Sequence, residues 1–411
     1  MRNFIEIMRE RGLVTDITEP CSSVFEAPKM ASSTSKILFF HNVDGKKAVM
    51  NLTADRESLV VALDIPSHEL VKTLATKKMD GRLHEKGALF IGPPDLTKIP
   101  IMHHYPKDAG RYITAGVVFS RYHEEFNASI HRMLVLDNTR LAARLVEGRH
   151  TDNLHKKALS NGEVLPVAIA IGLHPAVIFA CCTRVPPGKE LNYASELMGG
   201  DLWLYDCGNG VLVPDAEIVL VGYIGKENVP EGPFVDITGT YDSVREQPVI
   251  TITGMFMKEG CIYHGILPGA DEHKVLMGAP YEPKIYSAVA GVTEVKNVVL
   301  TKGGCGYLHA VIQIKKRTPG DPKNAIMAAF AAHTSLKHVV IVDDDINPLE
   351  MDEVEYALAT RVRGDTDLMV ITGVRGSSLD PVQCEDGTNV KIGVDATYPF
   401  GRETEFRKAE W

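Results

Sequence analysis

The sequence predicts a mixed α/β (α+β) chain of three domains, at residues 1–100, 101–300 and 301–411. Its 411 residues exceed what one domain of about 150 residues usually holds. Helix and strand patterns alternate near both ends of the chain. The middle is rich in short strand patterns separated by Gly and Pro, which favours an antiparallel barrel or sandwich there.

The first domain is expected to be a small α/β domain that ends near residue 100. A helix over 2–11 stops at Gly12, because Gly commonly ends helices. Asp44-Gly45 is a hairpin signal between two apolar runs. The predicted elements after the first helix are a strand at 13–17, strands at 37–40 and 47–53, and helices at about 55–63 and 67–77.

The middle domain is expected to be mostly strand, with one strong helix at about 138–147. Its strand candidates are Ile113–Phe119, Met133–Leu136, Leu165–Ile171, Leu202–Tyr205, Glu217–Ile224, Val249–Met255 and Cys261–Ile266.

The last domain returns to an α/β pattern. A strand at Leu308–Ile314 leads to an Ala- and Met-rich helix over about 322–336. A buried strand at Val339–Val342 and a helix from Leu349 to Arg361 follow. This order of elements predicts a βαβα unit.

Composition excludes several functional classes. A net charge of −9 without a long Lys/Arg run disfavours binding to nucleic acid or to an anionic membrane. The sequence has neither a signal-peptide pattern nor an apolar run long enough to span a bilayer. Seven cysteines without a C-x-x-C motif argue against a disulfide framework or a thiolate zinc site. A cytoplasmic protein is therefore expected.

Glu231 and Asp236 flank a Gly-Pro pair and two apolar residues. Such a loop could bring a carboxyl group against a low-dielectric surface, where the neutral form that donates a proton is favoured. The alternative is a surface turn with two solvated acids.

Asn127, His150 and Glu190 form a hard to borderline ligand set, suited to Mn²⁺ or Mg²⁺ beside a phosphate. Arg132, close to Asn127 in the chain, can bind a carboxylate bidentately. Each residue also has a purely structural explanation. Asn127 could lie in a turn and Arg132 at the rim of the domain surface, while His150 and Glu190 could lie at helix termini. Asp343-Asp344-Asp345 is either another divalent-ion site or an acidic helix start.

These residues together resemble those of the UbiD-type decarboxylases, which use prenylated flavin mononucleotide (FMN). The similarity is spread over nearly the whole chain. The matching stretches are Asn127 to Arg132, His150, Lys189-Glu190, Val213 to Tyr223, Glu231 to Tyr241, Ile341 to Asn347 and Lys391 to Thr397. Asp236 stands where some members carry Glu, and Val235 replaces a common Gly.

The resemblance implies a central split-barrel domain that binds the flavin. Asn127, His150 and Glu190 are then expected to hold Mn²⁺, with K⁺ nearby, at the cofactor phosphate. Ile130, His131, Arg132 and Arg149 are expected along the cofactor, and Lys391 near its phosphate. Arg132, Glu231 and Asp236 form the expected catalytic network, with either acid as the proton donor.

The resemblance also implies a reaction: non-oxidative decarboxylation of an α,β-unsaturated acid through a covalent adduct with the flavin. The chain's end at Trp411 favours the archaeal branch, which converts trans-anhydromevalonate 5-phosphate to isopentenyl phosphate. His131, Arg184 and Lys189 are candidate cations for the substrate phosphate. A flavin prenyltransferase is the expected cofactor supplier, and a homo-oligomer is expected, with the Ala- and Met-rich helix as a possible subunit contact.

Three alternatives stay open. The first is a decarboxylase of an aromatic or polyprenylated acid such as 4-hydroxy-3-polyprenylbenzoate. The second is a metal-dependent hydrolase that uses Asp343–Asp345. The third is a flavin or metal binder without catalytic activity.

Overall fold

The computed structural model describes residues 1–407 and 409. The chain divides into two compact units, Met1–Asp64 with Lys78–Leu276, and Ile65–Lys77 with Met277–Trp411. The predicted domain boundaries near residues 100 and 300 stay predictions. Residues 408, 410 and 411 of the predicted third domain lie outside the described part of the chain.

The eleven helices of the described chain are α1 (Arg2–Glu10), α2 (Glu26–Ser32), α3 (Arg56–Leu63), α4 (Leu70–Thr76), α5 (His150–Ser160), α6 (Pro175–Cys182), α7 (Glu190–Leu197), α8 (Asp271–Gly278), α9 (Glu282–Ala290), α10 (Asp321–Ala332) and α11 (Met351–Arg361). The strands up to the middle of the chain are β1 (Val14–Ile17), β2 (Ile37–Val43), β3 (Lys46–Met50), β4 (Arg82–Ala88), β5 (Tyr112–Ile113), β6 (Val117–Tyr122), β7 (Glu125–Ile130), β8 (Met133–Val135), β9 (Arg140–Ala143), β10 (Leu165–Ile171) and β11 (Asp201–Asp206). The remaining strands are β12 (Leu212–Pro214), β13 (Ile218–Glu231), β14 (Phe234–Val235), β15 (Tyr241–Asp242), β16 (Arg245–Met257), β17 (Ile262–Gly265), β18 (Glu294–Leu300), β19 (His309–Lys315), β20 (His338–Val342), β21 (Leu368–Arg375) and β22 (Thr388–Asp395).

The first unit is organised around an eight-stranded sheet in the order β5-β8-β9-β16-β13-β10-β6-β7. Every neighbouring pair in it is antiparallel, as the strand pattern predicts. Alternate side chains of these strands, such as Val167, Ile169 and Leu220, are fully buried in one apolar core. The alternate residues on the other face of the central strands are buried as well, as Ala168, Ala170 and Val219 show.

The N-terminal segment of this unit adds a four-stranded sheet, β1-β2-β3-β17. The hairpin predicted at Asp44-Gly45 is confirmed: β2 and β3 are antiparallel, and both turn residues have positive φ. Phe4, Ile5 and Met8 of α1 pack on this sheet, so the predicted first helix is also confirmed.

The predicted helix at 138–147 is wrong. Arg140–Ala143 form β9, which pairs with both β8 and β16. Leu141 and Ala142 are fully buried in that sheet, and this burial overrides the helix propensity of the segment. Residues 101–300 also contain five helices, α5 to α9, where the sequence pattern predicted a single helix. Cys181 and Cys182 are the last two residues of α6.

The second unit contains a five-stranded mixed sheet in the order β18-β19-β20-β22-β21. Strands β19, β20 and β22 are parallel neighbours, so the predicted βαβα unit is confirmed. Ile326 of α10 packs over Gly393 of β22, where a Cβ would lie 2.3 Å from its side chain. Val354 and Ala357 of α11 pack on β20.

Candidate active site

Arg132 lies between β7 and β8, where it contacts two acids. Glu231 is the last residue of β13, and Asp236 lies in the turn between β14 and β15. Its Nε and Nη2 donate to the two carboxylate oxygens of Glu231, each at 3.0 Å. Its Nη1 lies 3.5 Å from Oδ2 of Asp236. The structure therefore brings together the guanidinium and the two acids that the sequence analysis grouped.

Burial differs sharply within this network. The Glu231 side chain is 0% exposed, the Arg132 side chain 10% and the Asp236 side chain 22%. Burial alone would lower the pKa of Arg132, but the hydrogen bonds and charge of Glu231, helped by Asp236, raise it above its ordinary value. Arg132 is thus a permanent cation, and of its two expected partners Asp236 is the one that solvent or a ligand can reach.

A short hairpin presents Asp236. Strands β14 and β15 pair antiparallel, and Asp236 N–H donates to Thr240 O at 3.0 Å across the turn. Phe234 is buried against Tyr112, with ring centroids 4.3 Å apart, and lies 4.9 Å below the Arg132 guanidinium. Val235 belongs to strand β14, and β-branched residues are well suited to an extended backbone. Val235 therefore fits this position, although the family resemblance predicts Gly there.

Two further contacts fix the hairpin to the segment before β5. Ala109 N–H donates to Pro233 O at 3.0 Å, and Val235 N–H lies 3.4 Å from Oδ1 of Asp108. Gly232 has φ +101°, and a Cβ there would lie 3.2 Å from Ser243 O. The backbone on both sides of the acids is therefore closely constrained.

The sequence analysis missed Asp242 and Arg245. Asp242 Oδ2 accepts from Arg132 Nη2 at 3.1 Å and from Arg245 Nη1 at 2.5 Å. Arg144 is a third guanidinium in this neighbourhood, and burial together with the charges of Arg245 and Arg132 lowers its pKa. The hairpin signal at Gly239 could have placed Asp242 on the strand beside Phe234, but only the fold shows which cations it meets.

His150 and Glu190, at the first positions of α5 and α7, lie side by side. His150 Nδ1 is 3.9 Å from Glu190 Oε1. Burial raises the pKa of Glu190 to about 7. Its Oε2 is buried and has no hydrogen-bond partner among the described residues. A buried carboxylate oxygen without a partner is energetically unfavourable, and a bound cation would satisfy it.

Asn127 contacts Thr151, the residue that follows His150 in α5. Its Nδ2 donates to Thr151 Oγ1 at 2.9 Å and to Ser129 Oγ at 3.0 Å. No set of three His, Cys, Asp or Glu side chains within the described residues is arranged to hold a metal. The expected set has two such side chains and an amide, and its role as a metal site stays a prediction.

The other expected cofactor contacts are spread over both units. His131 is buried, its Nδ1–H donates to Arg144 O at 2.9 Å, and its Nε2 lies 3.1 Å from Thr151 Oγ1. Burial lowers the pKa of His131. It is therefore a neutral hydrogen-bonding group and does not suit the role of a phosphate-binding cation. Ile130 ends β7, and Arg149 directly precedes α5. Lys391 belongs to the second unit, where Nζ donates to Thr334 O at 2.7 Å and burial lowers its pKa to about 8.

The acidic run Asp343–Asp345 is neutralised by cations. Asp343 accepts from Lys316 Nζ at 3.0 Å and from Arg361 Nη1 at 3.1 Å. Arg361 Nη2 lies 2.6 Å from Asp345 Oδ2. A carboxylate cluster that already surrounds two basic side chains is a poor divalent-ion site, so the geometry does not favour the hydrolase alternative.

No helix within residues 1–407 and 409 combines the length and apolar character needed to cross a bilayer.

Comparison with known proteins gives three family matches in consecutive order. Residues 5–78, 79–271 and 274–396 match the N-terminal, Rift-related and C-terminal domains of the 3-octaprenyl-4-hydroxybenzoate carboxy-lyase family, UbiD. These matches agree with the expected three-part α/β (α+β) fold with a β-rich centre.

Curated relatives are similar over most of the chain. An anhydromevalonate phosphate decarboxylase from Methanosarcina mazei is 53% identical over 418 residues, covering 99% of this chain and 98% of the relative. The protein with the same name from Archaeoglobus fulgidus is 49% identical over 367 residues, covering 88% of this chain and 85% of the relative.

A solved structure of the UbiD-class enzyme HmfF from Pelotomaculum thermopropionicum, in complex with FMN, superposes with a TM-score of 0.96 at 33% identity. The match covers 100% of this chain and 97% of HmfF. An evolved dimeric form of HmfF in complex with prenylated FMN gives a TM-score of 0.91 at 31% identity, covering 100% of this chain and 96% of that one. On these matches in sequence and fold, the chain belongs to the UbiD family.

Proposed function

We propose that this protein is a prenylated-FMN-dependent carboxy-lyase that converts trans-anhydromevalonate 5-phosphate to isopentenyl phosphate. This reaction would place it in an archaeal mevalonate route to isoprenoids. The names of the curated relatives support the substrate. The observation that carries the chemistry is the Arg132–Glu231–Asp236 network, in which one acid is fully buried and the other is accessible.

The residues around Glu190 fit a cation that clamps a phosphate. Glu190 offers an unpartnered buried oxygen, and the His150 imidazole lies beside it. We assign Asn127, His150 and Glu190 to Mn²⁺ (or Mg²⁺), with K⁺ nearby, and Ile130, His131, Arg132 and Arg149 to the cofactor. Prenylated FMN, when bound, supplies the electron sink that side chains lack.

Arg132 has the geometry to orient a carboxylate. Glu231 occupies Nε and one N–H of Nη2, which fixes the plane of the guanidinium. Nη1 points toward Asp236 at 3.5 Å, longer than a normal charge-assisted hydrogen bond. A substrate carboxylate can therefore bind at Nη1 next to Asp236, in a defined orientation.

Asp236 is the proton donor in this proposal. When the C–C bond to the carboxylate breaks, CO₂ leaves and the bonding electron pair stays with the substrate fragment. The proton of the Asp236 carboxyl group then forms the new C–H bond, and water restores that proton because the side chain is 22% exposed. A general acid of this kind contributes roughly 10²–10⁴ in rate.

The experiment produces the protein together with a flavin prenyltransferase and measures CO₂ release from trans-anhydromevalonate 5-phosphate. We expect a coloured, flavin-loaded protein that releases CO₂ and forms isopentenyl phosphate. If the protein decarboxylates polyprenyl hydroxybenzoates and not trans-anhydromevalonate 5-phosphate, the proposed substrate is wrong and the aromatic alternative is correct. Turnover by protein that contains no flavin would contradict the proposed chemistry.

A further inference from the structure

Asp242 contacts the same guanidinium as the two acids of the proposed reaction. It lies on β15 beside Phe234 of β14, and 17% of its side chain is exposed. Its Oδ1 accepts from Ser243 N–H at 2.9 Å. Its Oδ2 is shared between Arg132 Nη2, at 3.1 Å, and Arg245 Nη1, at 2.5 Å.

The charge state of Asp242 is fixed by this sharing. Burial alone would raise the pKa of Asp242, but the hydrogen bond from Arg245 and the charge of Arg132 hold it below its ordinary value. Asp242 is therefore a carboxylate throughout the neutral pH range. Unlike Asp236, it is unsuited to donate a proton.

The donors of Arg132 are distributed unequally. A guanidinium has five N–H groups in a fixed plane. Nε and one N–H of Nη2 point to Glu231, and the second N–H of Nη2 points to Asp242. Among the described residues, Nη1 has only the long contact to Asp236 Oδ2, at 3.5 Å. Nε and Nη2 of Arg132 are therefore held by Glu231 and Asp242, whereas Nη1 faces Asp236, the proposed proton donor.

We propose that Asp242 is a positioning residue that holds Arg132 away from a tight ion pair with Asp236 and keeps Nη1 available for the substrate carboxylate. Arg245 tunes this restraint, because it competes with Arg132 for the same oxygen of Asp242. The inference rests on the proposed function for its kinetic consequence, but its geometric consequence is independent of the substrate.

The two members of the Asp242–Arg245 pair should act in opposite directions. Without Asp242, the Arg132 guanidinium is free to move toward Asp236, and a closer cation favours the carboxylate form of Asp236. Without Arg245, Asp242 binds Arg132 more tightly, and Asp236 loses cationic neighbours. The titratable and charged groups that face Arg132 and Asp236 within the described residues include Asp108, Tyr112 on β5, Arg144 after β9, Glu231 on β13, Asp242 on β15, Arg245 on β16 and His273 on α8.

The test compares Asp242→Ala, Arg245→Gln and the wild-type protein, all produced with the cofactor. Asp242→Asn serves as a second variant, in case the truncation does not fold. Asp137→Asn is the matched control, since it breaks an exposed Asp–Arg pair with Arg140, 2.7 Å in length, elsewhere in the same unit. The first readout is a crystal structure of each variant. The second is the pH dependence of kcat for CO₂ release.

In the Asp242→Ala structure we expect the Arg132 Nη1 to Asp236 Oδ2 distance to shorten from 3.5 Å to about 3 Å. We expect the alkaline limb of the kcat profile to move down by about half a pH unit or more, and kcat at neutral pH to fall about tenfold. Arg245→Gln should move the same limb upward, and Asp137→Asn should leave it in place.

The positioning role would be overturned if the alkaline limb of the kcat profile moved in the same direction in Asp242→Ala and Arg245→Gln, or did not move. An unchanged distance between Arg132 Nη1 and Asp236 Oδ2 in Asp242→Ala would overturn it as well. If the wild-type protein turns over none of the acids, the proposed function fails, while the distance in the variant structures still decides the inference.

Discussion

Arg132 and Glu231 depend on each other for stability as well as chemistry. Glu231 is 0% exposed, and its two carboxylate oxygens are both bound by the Arg132 guanidinium. A buried pair of this kind contributes little by itself, but removing one partner leaves a buried charge without compensation. The same contact that orients the guanidinium therefore makes it hard to remove without damage.

Truncation of Arg132 should therefore be destabilising in addition to inactivating. We expect Arg132→Ala to lower the free energy of unfolding by about 3–5 kcal/mol, because Glu231 loses its counter-ion. Urea unfolding at neutral pH measures this change. The double variant Arg132→Ala/Glu231→Gln should recover part of the loss, and equal losses in the single and double variants would contradict the buried-charge explanation.

Glu190 should bind a divalent cation in the protein before any cofactor is loaded. Its unpartnered Oε2 and the neighbouring His150 supply two of the expected ligands. We expect Mn²⁺ affinity, measured by calorimetry or by electron paramagnetic resonance, to fall at least tenfold in Glu190→Gln. Glu163→Gln, which removes a carboxylate bound to the Tyr122 hydroxyl, is the control. Equal Mn²⁺ affinity in both variants would remove Glu190 from the ligand set.

At the scale of elements, the β14–β15 hairpin sets the distances within the site. Asp236 lies at its turn, Phe234 supports the Arg132 guanidinium, and Asp242 returns on the second strand. Gly232 connects β13 to the hairpin with φ +101°, a conformation that residues with a Cβ rarely adopt. A displacement of this short hairpin therefore moves two carboxylates at once, Asp236 and Asp242.

Gly232→Ala should therefore reduce activity more than its effect on stability suggests. We expect the free energy of unfolding to fall by about 1–3 kcal/mol, because the added Cβ strains the backbone and approaches Ser243 O. CO₂ release should fall at least tenfold in folded protein. Gly208→Ala, at φ +78° with nothing within 4 Å of the added Cβ, gives the backbone effect alone. Full activity in Gly232→Ala would show that the hairpin tolerates displacement.

The acids, the guanidinium and the strand that follows Arg132 were predictable from the sequence, and so was the first half of the strand that ends at Glu231. The motif from Glu231 to Tyr241 is local, so its turn residues could be read directly from the chain. Asp242 and Arg245 could not, because their pairing depends on how β13, β15 and β16 align. The segment at 138–147 has helix-forming residues, and only its burial between β8 and β16 makes it a strand. Secondary structure predicted from local propensity is wrong where tertiary contacts favour another conformation.

At the scale of the whole molecule, the two units have different polar interiors. The first contains the acids and guanidinium groups of the proposed reaction. The second buries Asp343 with Lys316 and Arg361, which cover its carboxylate. Tyr398 N–H donates to the same carboxylate at 2.7 Å. This cluster is consistent with a structural role in the second unit.

The pH dependence of stability tests that role. Burial raises the pKa of Asp343 from 3.8 to about 6, even though Lys316 and Arg361 oppose the change. The folded protein then binds this proton more tightly than the unfolded chain, so the contribution to stability is present below about pH 4 and is lost as the pH rises through 6. We expect the difference in urea midpoint between the wild-type protein and Asp343→Asn to change over that window. A constant difference from pH 4 to 7 would contradict the shift.

Homo-oligomerisation and the flavin prenyltransferase partnership stay proposals. In α10, Met327 is 49% exposed, whereas Ile326 and Ala329 are fully buried in the second unit. Met327 is the only large apolar side chain exposed on α10, which lies wholly within the described residues, and it offers a small apolar surface for a stable subunit interface. Sedimentation of the purified protein would give its mass relative to the 45.1 kDa chain.

The central claim is that Asp236, beside Arg132, donates the proton that replaces CO₂. The most direct measurement is single-turnover CO₂ release and product formation by Asp236→Asn and wild-type protein, matched for bound flavin by absorbance. We expect equal flavin content and at least a hundredfold slower product formation in the variant. Product formation at the wild-type rate by flavin-loaded Asp236→Asn would contradict it.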